Sequence, residues 1–86
     1  MYKILLTKEA VKYYQKSGAT VKRKLNKCFE VLKEDPYNDC NIKRLHGELA
    51  GLYRYRIGSL RVIYKIEDEK VTVIVISIGS RGDIYK

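Results

Sequence analysis

The sequence predicts an α+β fold over residues 1–86, with an N-terminal strand, a two-helix hairpin and then a three-stranded antiparallel meander. Three observations carry that expectation. Apolar residues step by three and four between Val21 and Leu32, the chain from Leu52 onward is rich in Val, Ile and Tyr, and Asp35-Pro36 divides the two regimes.

Taken in order, Tyr2–Leu6 is a short apolar run that reads as the opening strand. Thr7 offers an N-cap hydroxyl for a helix starting at Lys8, and Ser17-Gly18 ends it. A second helix runs from about Thr20 to Lys33, because Val21, Leu25, Cys28, Phe29 and Leu32 fall on one helical face. Pro36 stops it, having no N–H to donate and restricting the residue before it. Tyr37–Ala50 reads as a polar connection. Leu52–Ile57, Leu60–Glu67 and Lys70–Ile78 are the meander strands, with Gly58-Ser59 and Asp68-Glu69 as two-residue hairpin turns. No internal repeat or low-complexity segment interrupts this order.

Charge is the first functional clue. Eighteen Lys and Arg against ten Asp and Glu leave a net charge of +8. Such an excess favours polyanions, whether nucleic acid, an anionic membrane surface or an acidic protein. The longest purely apolar run, Val73–Ile76, is far too short to cross a bilayer. The first residues have neither a sustained apolar core nor a small-residue cleavage site, so the expected location is cytoplasmic. Cys28 and Cys40 are accordingly expected as free thiols, and their spacing gives no zinc motif.

Hairpin arithmetic sharpens the picture. With Gly58-Ser59 as the turn, Arg56 lies opposite Arg61 and Arg54 opposite Ile63, which puts Arg54, Arg56 and Arg61 on one face. Tyr53, Tyr55, Ile57, Leu60, Val62, Tyr64 and Ile66 take the other face, the one suited to packing on the helices. Like charges directly opposite each other destabilise a sheet, and an anion held between the two guanidiniums would relieve the strain. Simple solvation of surface arginines is the competing explanation. Beyond the last strand, Gly79-Ser80-Arg81-Gly82-Asp83-Ile84-Tyr85 adds one more arginine and one more tyrosine, which equally fits a terminal packing hook.

The stretch Lys43–Tyr64, with Leu45-His46-Gly47, Gly51-Leu52-Tyr53, Arg56-Ile57-Gly58 and Arg61-Val62-Ile63-Tyr64, resembles the signature of the RelE/ParE toxin superfamily. The closing Gly79, Arg81 and Tyr85 match that superfamily's C-terminal motif, and the strand–helix–helix start agrees, so the resemblance spans essentially the whole chain. It implies a toxin of a type II toxin–antitoxin system. RelE-like members are ribosome-dependent endoribonucleases in which the mRNA's own 2′-OH attacks the adjacent phosphate, without metal or cofactor. By motif position, Arg61 and Arg81 would stabilise the transition-state charge, Arg54 and Arg56 fill places where RelE proteins commonly have lysine, and Tyr85 would orient a base. Ser80 stands where several relatives carry histidine or lysine.

The implied partners are a RelB-like antitoxin, the ribosome and mRNA, with no membrane. Lys22, Arg23, Lys24 and Lys27 on the second helix, with Lys43 and Arg44, are candidates for RNA or ribosome contact. The lone His46 and Glu48 read as residues of the connection. Two other functions stay open: a ParE-type inhibitor of DNA gyrase, and a catalytically weak RNA-binding relative.

Overall fold

A computed structural model describes residues 1–80. Strand β1 (Lys3–Leu6) passes through Thr7 into helix α1 (Lys8–Lys16), and α2 (Ala19–Glu34) follows after a two-residue break. Thr7 is extended, and its Oγ1 accepts the Ala10 N–H at 3.3 Å, supplying one of the donors that a helix start leaves unpaired. Ser17 closes α1 by donating its hydroxyl to the Tyr13 carbonyl at 2.7 Å. Asp35 caps α2, and Pro36 beyond it is buried, its carbonyl accepting the Tyr64 hydroxyl at 2.7 Å.

The remaining strands are β2 (Ile42–Arg44), β3 (Tyr53–Ile57), β4 (Leu60–Glu67) and β5 (Thr72–Ser80), and the sheet order is β1-β5-β4-β3-β2. The meander β3-β4-β5 is antiparallel, as its turn signals predict. Three features depart from the sequence reading. The connection Tyr37–Ala50 contains β2 and a 3₁₀ turn at Gly47–Leu49. Strand β1 pairs parallel with β5, Lys3 beside Thr72 and Leu6 beside Val75, so the sheet is mixed. Asp68-Glu69 is not a two-residue turn: a 3₁₀ turn spans Asp68–Lys70, Val71 takes φ 46°, and β5 begins at Thr72 and ends at Ser80. The reason is local, since tight hairpin turns need positive φ at a central residue and Asp-Glu supplies no glycine. The chain displaces that conformation onto Val71, whose carbonyl accepts the Lys3 N–H.

Both helices cover one face of the sheet. Ala10 from α1 and Leu25, Cys28 and Leu32 from α2 pack on Tyr55, Leu60, Val62, Tyr64, Val73, Val75 and Ile78. Fully burying a side chain of leucine size contributes about 1.5–3 kcal/mol, so this layer accounts for most of the fold's stability. No helix among the described residues is long and apolar enough to cross a membrane.

One irregularity positions the opposite face. Between Ile63 paired with Ser77 and Tyr64 paired with Val75, β5 carries one extra residue, Ile76. Its carbonyl accepts the Thr7 hydroxyl at 2.7 Å, so the helix cap also pins the bulge. The extra residue reverses which side chains face outward from there on. Ile78 goes into the core, and Ser77 and Gly79 turn to the helix-free side.

Candidate nucleic-acid interface

The helix-free side of the β3–β4 hairpin gathers cations. Gly58 has φ 56° and Ser59 does not share a positive φ, the arrangement of a II′ turn, which holds Ile57 opposite Leu60. Arg56 therefore faces Arg61, and Arg54 faces Ile63. The Arg56 N–H points away from β4 to the Asn41 carbonyl at 3.0 Å. Arg56 and Arg61 thus form a pair without hydrogen bonds between them, the type in which facing side chains come closest. Lys43 on β2 lies beside Arg54 and adds a fourth charge to this face.

Two transverse rows result. Arg56, Arg61 and Gly79 make one; Lys43, Arg54, Ile63 and Ser77 make the next. Rows on one face of a strand are two residues apart, about 6.5 Å. Gly79, itself buried, adds no side chain of its own to the row beside Arg61, and Ile63, only 4% exposed, forms an apolar floor between cations. Arg56 is exposed while Arg54 and Arg61 are half-buried. The Arg54 Nε is buried with no hydrogen-bond acceptor, and Arg61 Nη1 reaches only the Ser59 carbonyl, at 3.5 Å. Among the described residues the one ion pair is Lys65 with Glu67 at 3.8 Å, so no carboxylate there compensates the arginines. Guanidinium forks of this kind match the oxygens of a phosphate and take them bidentately.

Residues 4–85 match the family model for the ParE toxin of type II toxin–antitoxin system, parDE. The chain belongs to the RelE/ParE toxin superfamily. Within the superfamily, the mRNA interferase toxin RelE of Escherichia coli K12 is 35% identical over 80 residues, covering 88% of this chain and 81% of RelE. Toxin RelG of Mycobacterium tuberculosis is 43% identical over 44 residues, 51% of either chain. The crystal structure of isolated E. coli RelE aligns with a TM-score of 0.80 at 31% identity, over 99% of this chain and 92% of RelE. A chain of the archaeal RelE–RelB complex from Pyrococcus horikoshii OT3 gives 0.80 at 26% identity, over 94% and 96%. These likenesses place the chain in the RelE-like branch of the RelE/ParE superfamily.

Set against the superfamily motif, Arg54, Arg56, Arg61 and Lys43 come together, and Arg81 and Tyr85 lie outside the described residues. The other expected RNA contacts do not join them. Lys22, Arg23, Lys24 and Lys27 sit on α2, on the side of the sheet that the helices cover, and Arg44 pairs with Tyr53 and belongs to that side as well. The basic side chains therefore lie on two opposite surfaces. His46 and Glu48 are exposed at the 3₁₀ turn. Ser77 escaped the sequence reading, and Gly79 entered it only through the C-terminal motif, because the bulge that turns both outward leaves no trace in the apolar run Val73–Ile76.

Perturbed ionisations lie away from the arginines. Tyr2 and Tyr37 both donate to the Asp68 carboxylate, which holds both phenols above their ordinary range. Burial pushes up the Tyr64 phenol and the Cys28 thiol. The Tyr37 N–H and the Asn38 amide donate to Asp35 and hold its carboxyl below the usual carboxylate value. These groups brace the ends of strands and the helix exit.

Proposed function

We propose that this RelE/ParE chain is the toxin of a type II toxin–antitoxin pair and an endoribonuclease that cuts mRNA on the ribosome. The observation that carries the reading is the Arg56–Arg61 pair across the hairpin, which has no carboxylate partner among the described residues, with Arg54 and Lys43 in the next row. The neutral 2′-OH of one nucleotide attacks the adjacent phosphate and gives up its proton as a P–O bond forms, and the bond to the 5′-oxygen of the next nucleotide breaks as that oxygen takes up a proton, leaving a 2′,3′-cyclic phosphate and a 5′-hydroxyl. Negative charge grows on the phosphoryl oxygens, where preorganised cations contribute most. Arg61 holds those oxygens together with Arg81, Arg56 and Arg54 fix the flanking backbone, and Tyr85 orients the base. Arginine stays protonated and cannot serve as a general base, so this chain works by positioning and charge, without a metal, and proton removal falls to groups on the ribosome.

Its partners on this reading are the ribosome with mRNA and a RelB-like antitoxin, the kind of protein bound in the E. coli RelBE and archaeal RelE–RelB complexes. Its place is the cytoplasm. The test is primer extension on a translated message, with purified protein, with and without ribosomes. Cuts are expected only when ribosomes are present, and Arg61→Ala is expected to lower cleavage about 10²–10³-fold, the cost of removing one transition-state donor. Cleavage unchanged by Arg61→Ala overturns the assignment. The ParE description of the matching family favours one other reading, a gyrase inhibitor. That reading predicts intact transcripts together with inhibited supercoiling in the same preparation.

A further inference from the structure

The arginine rows give way to an apolar one. Past the Tyr53–Tyr64 pair the register sets Leu52 beside Lys65, which lies beside Ile74, and Ile74 lies beside Leu5. Leu45 extends the row at the other edge, its N–H donating to the Leu52 carbonyl at 3.0 Å. The chain neighbours Tyr53, Tyr64, Val73 and Ile4 pack toward the helices, so alternation turns these five side chains to the helix-free side. Among the described residues Leu5, Leu45, Leu52 and Ile74 take no part in the core, and Leu5 is 48% exposed. Lys65 contributes its aliphatic stem, because its Nζ is drawn to Glu67, 3.8 Å away and one row further from the arginines. The row runs about 6.5 Å beyond Arg54 and Lys43, on the same face.

We infer, on the footing of the proposed function, that this row is a shelf for a nucleobase of the RNA, the base next to the phosphate that Arg54 and Lys43 hold. Cations and apolar side chains in adjacent rows suit a ligand that is anionic along one side and apolar along the other, and an unpaired nucleotide is such a ligand. Leucine and isoleucine touch the face of a base and leave its edges unread, so the contact is indifferent to sequence. Glu67, in the row beyond, closes the track to further phosphates. A second copy of the chain is the competing occupant, and the surface disfavours it. A stable interface takes about 800 Å² from each partner, more than one row of five side chains offers when Leu45, Leu52 and Ile74 are half-buried. Two chains at +8 also repel each other.

The experiment measures filter binding of a uridylate hexamer, and of the same hexamer without its bases, to the wild-type chain and to L52Q/I74Q over a salt series. Base removal is expected to weaken binding to the wild type about fivefold, the lower end of what a base contact contributes, and to cost the variant little. The variant is expected to bind the base-free hexamer as the wild type does, with an unchanged log–log salt slope, because no phosphate contact is lost. A general loss of fold lowers affinity for both ligands and is thereby told apart from loss of the shelf. Where the double variant does not fold, as read from its amide spectrum, Leu52→Gln alone carries the comparison, since Leu52 stands just outside β3. An equal loss on base removal in both proteins overturns the shelf and leaves the arginine reading standing. No binding of either hexamer by the wild type also overturns the shelf, while primer extension still reads cleavage separately. Wild-type dimers in sedimentation that dissociate in L52Q/I74Q, with RNA affinity unchanged, overturn it in favour of a second copy.

Discussion

At the scale of single residues, the Arg56–Arg61 pair sets stability against activity. Facing like charges cost a sheet about 0.2–1 kcal/mol, and threonine suits an exposed strand position. Arg56→Thr is therefore expected to raise the urea midpoint by that order while lowering cleavage, and a variant both less stable and fully active contradicts the assignment. Asp35 gives a pH signature. Its carboxyl is held below the ordinary value of 3.8 by the Tyr37 N–H and Asn38, so it is the ionised form that the folded state favours. That stability is present above pH 3.8 and lost as pH falls through the lower folded value. Asp35→Asn should lower the neutral plateau of the stability profile and flatten its acid limb below about pH 4, seen by urea melts across pH. Much at this scale was legible: the Gly58-Ser59 turn fixed the register, and with it the shared face of Arg54, Arg56 and Arg61. The partition of Lys43 from Lys24 was not, since it depends on which side of the sheet α2 lies.

At the scale of elements, sequence served where periodicity or a breaker is strong and failed where geometry is irregular. Thr7, the spacing from Val21 to Leu32, and Pro36 delimit both helices to within a residue or two. The bulge at Ile76 was illegible because both alternations are apolar through Val73–Ile76, and the lone Ser77 beyond does not reveal an extra residue. The β4–β5 connection was misjudged because strain there is carried by Val71, a residue type that resists φ 46°. That gives a prediction. Val71 is 46% exposed and loses little packing on replacement, while asparagine tolerates the left-handed region. Val71→Asn should stabilise the chain by about 0.5–1 kcal/mol, measured as a rise in denaturant midpoint with unchanged m-value.

At the scale of the whole molecule, the charge of +8 divides between a sheet face and a helix groove. If the sheet face alone takes nucleic acid, with Lys43, Arg54, Arg56 and Arg61 each neutralising one phosphate, oligouridylate affinity should fall with a log–log salt slope of about −3. Arg56→Gln should reduce the slope's size by about 0.7, and R23E/K24E/K27E should leave it unchanged. Filter binding over a salt series reads both. A slope twice as steep, sensitive to the helix variant, would mean that the two basic surfaces act as one.

The parallel seam between β1 and β5 has a consequence in time. At about 5–20 residues per second, the segment from Leu6 to Thr72 takes roughly 3–13 s to leave the peptidyl-transferase centre. Through that interval the first strand made has no neighbour to bond, and β4, the middle of the sheet, waits for the same late arrival on its other edge. A ribosome that builds this protein therefore handles an unfinished sheet until its last strand emerges.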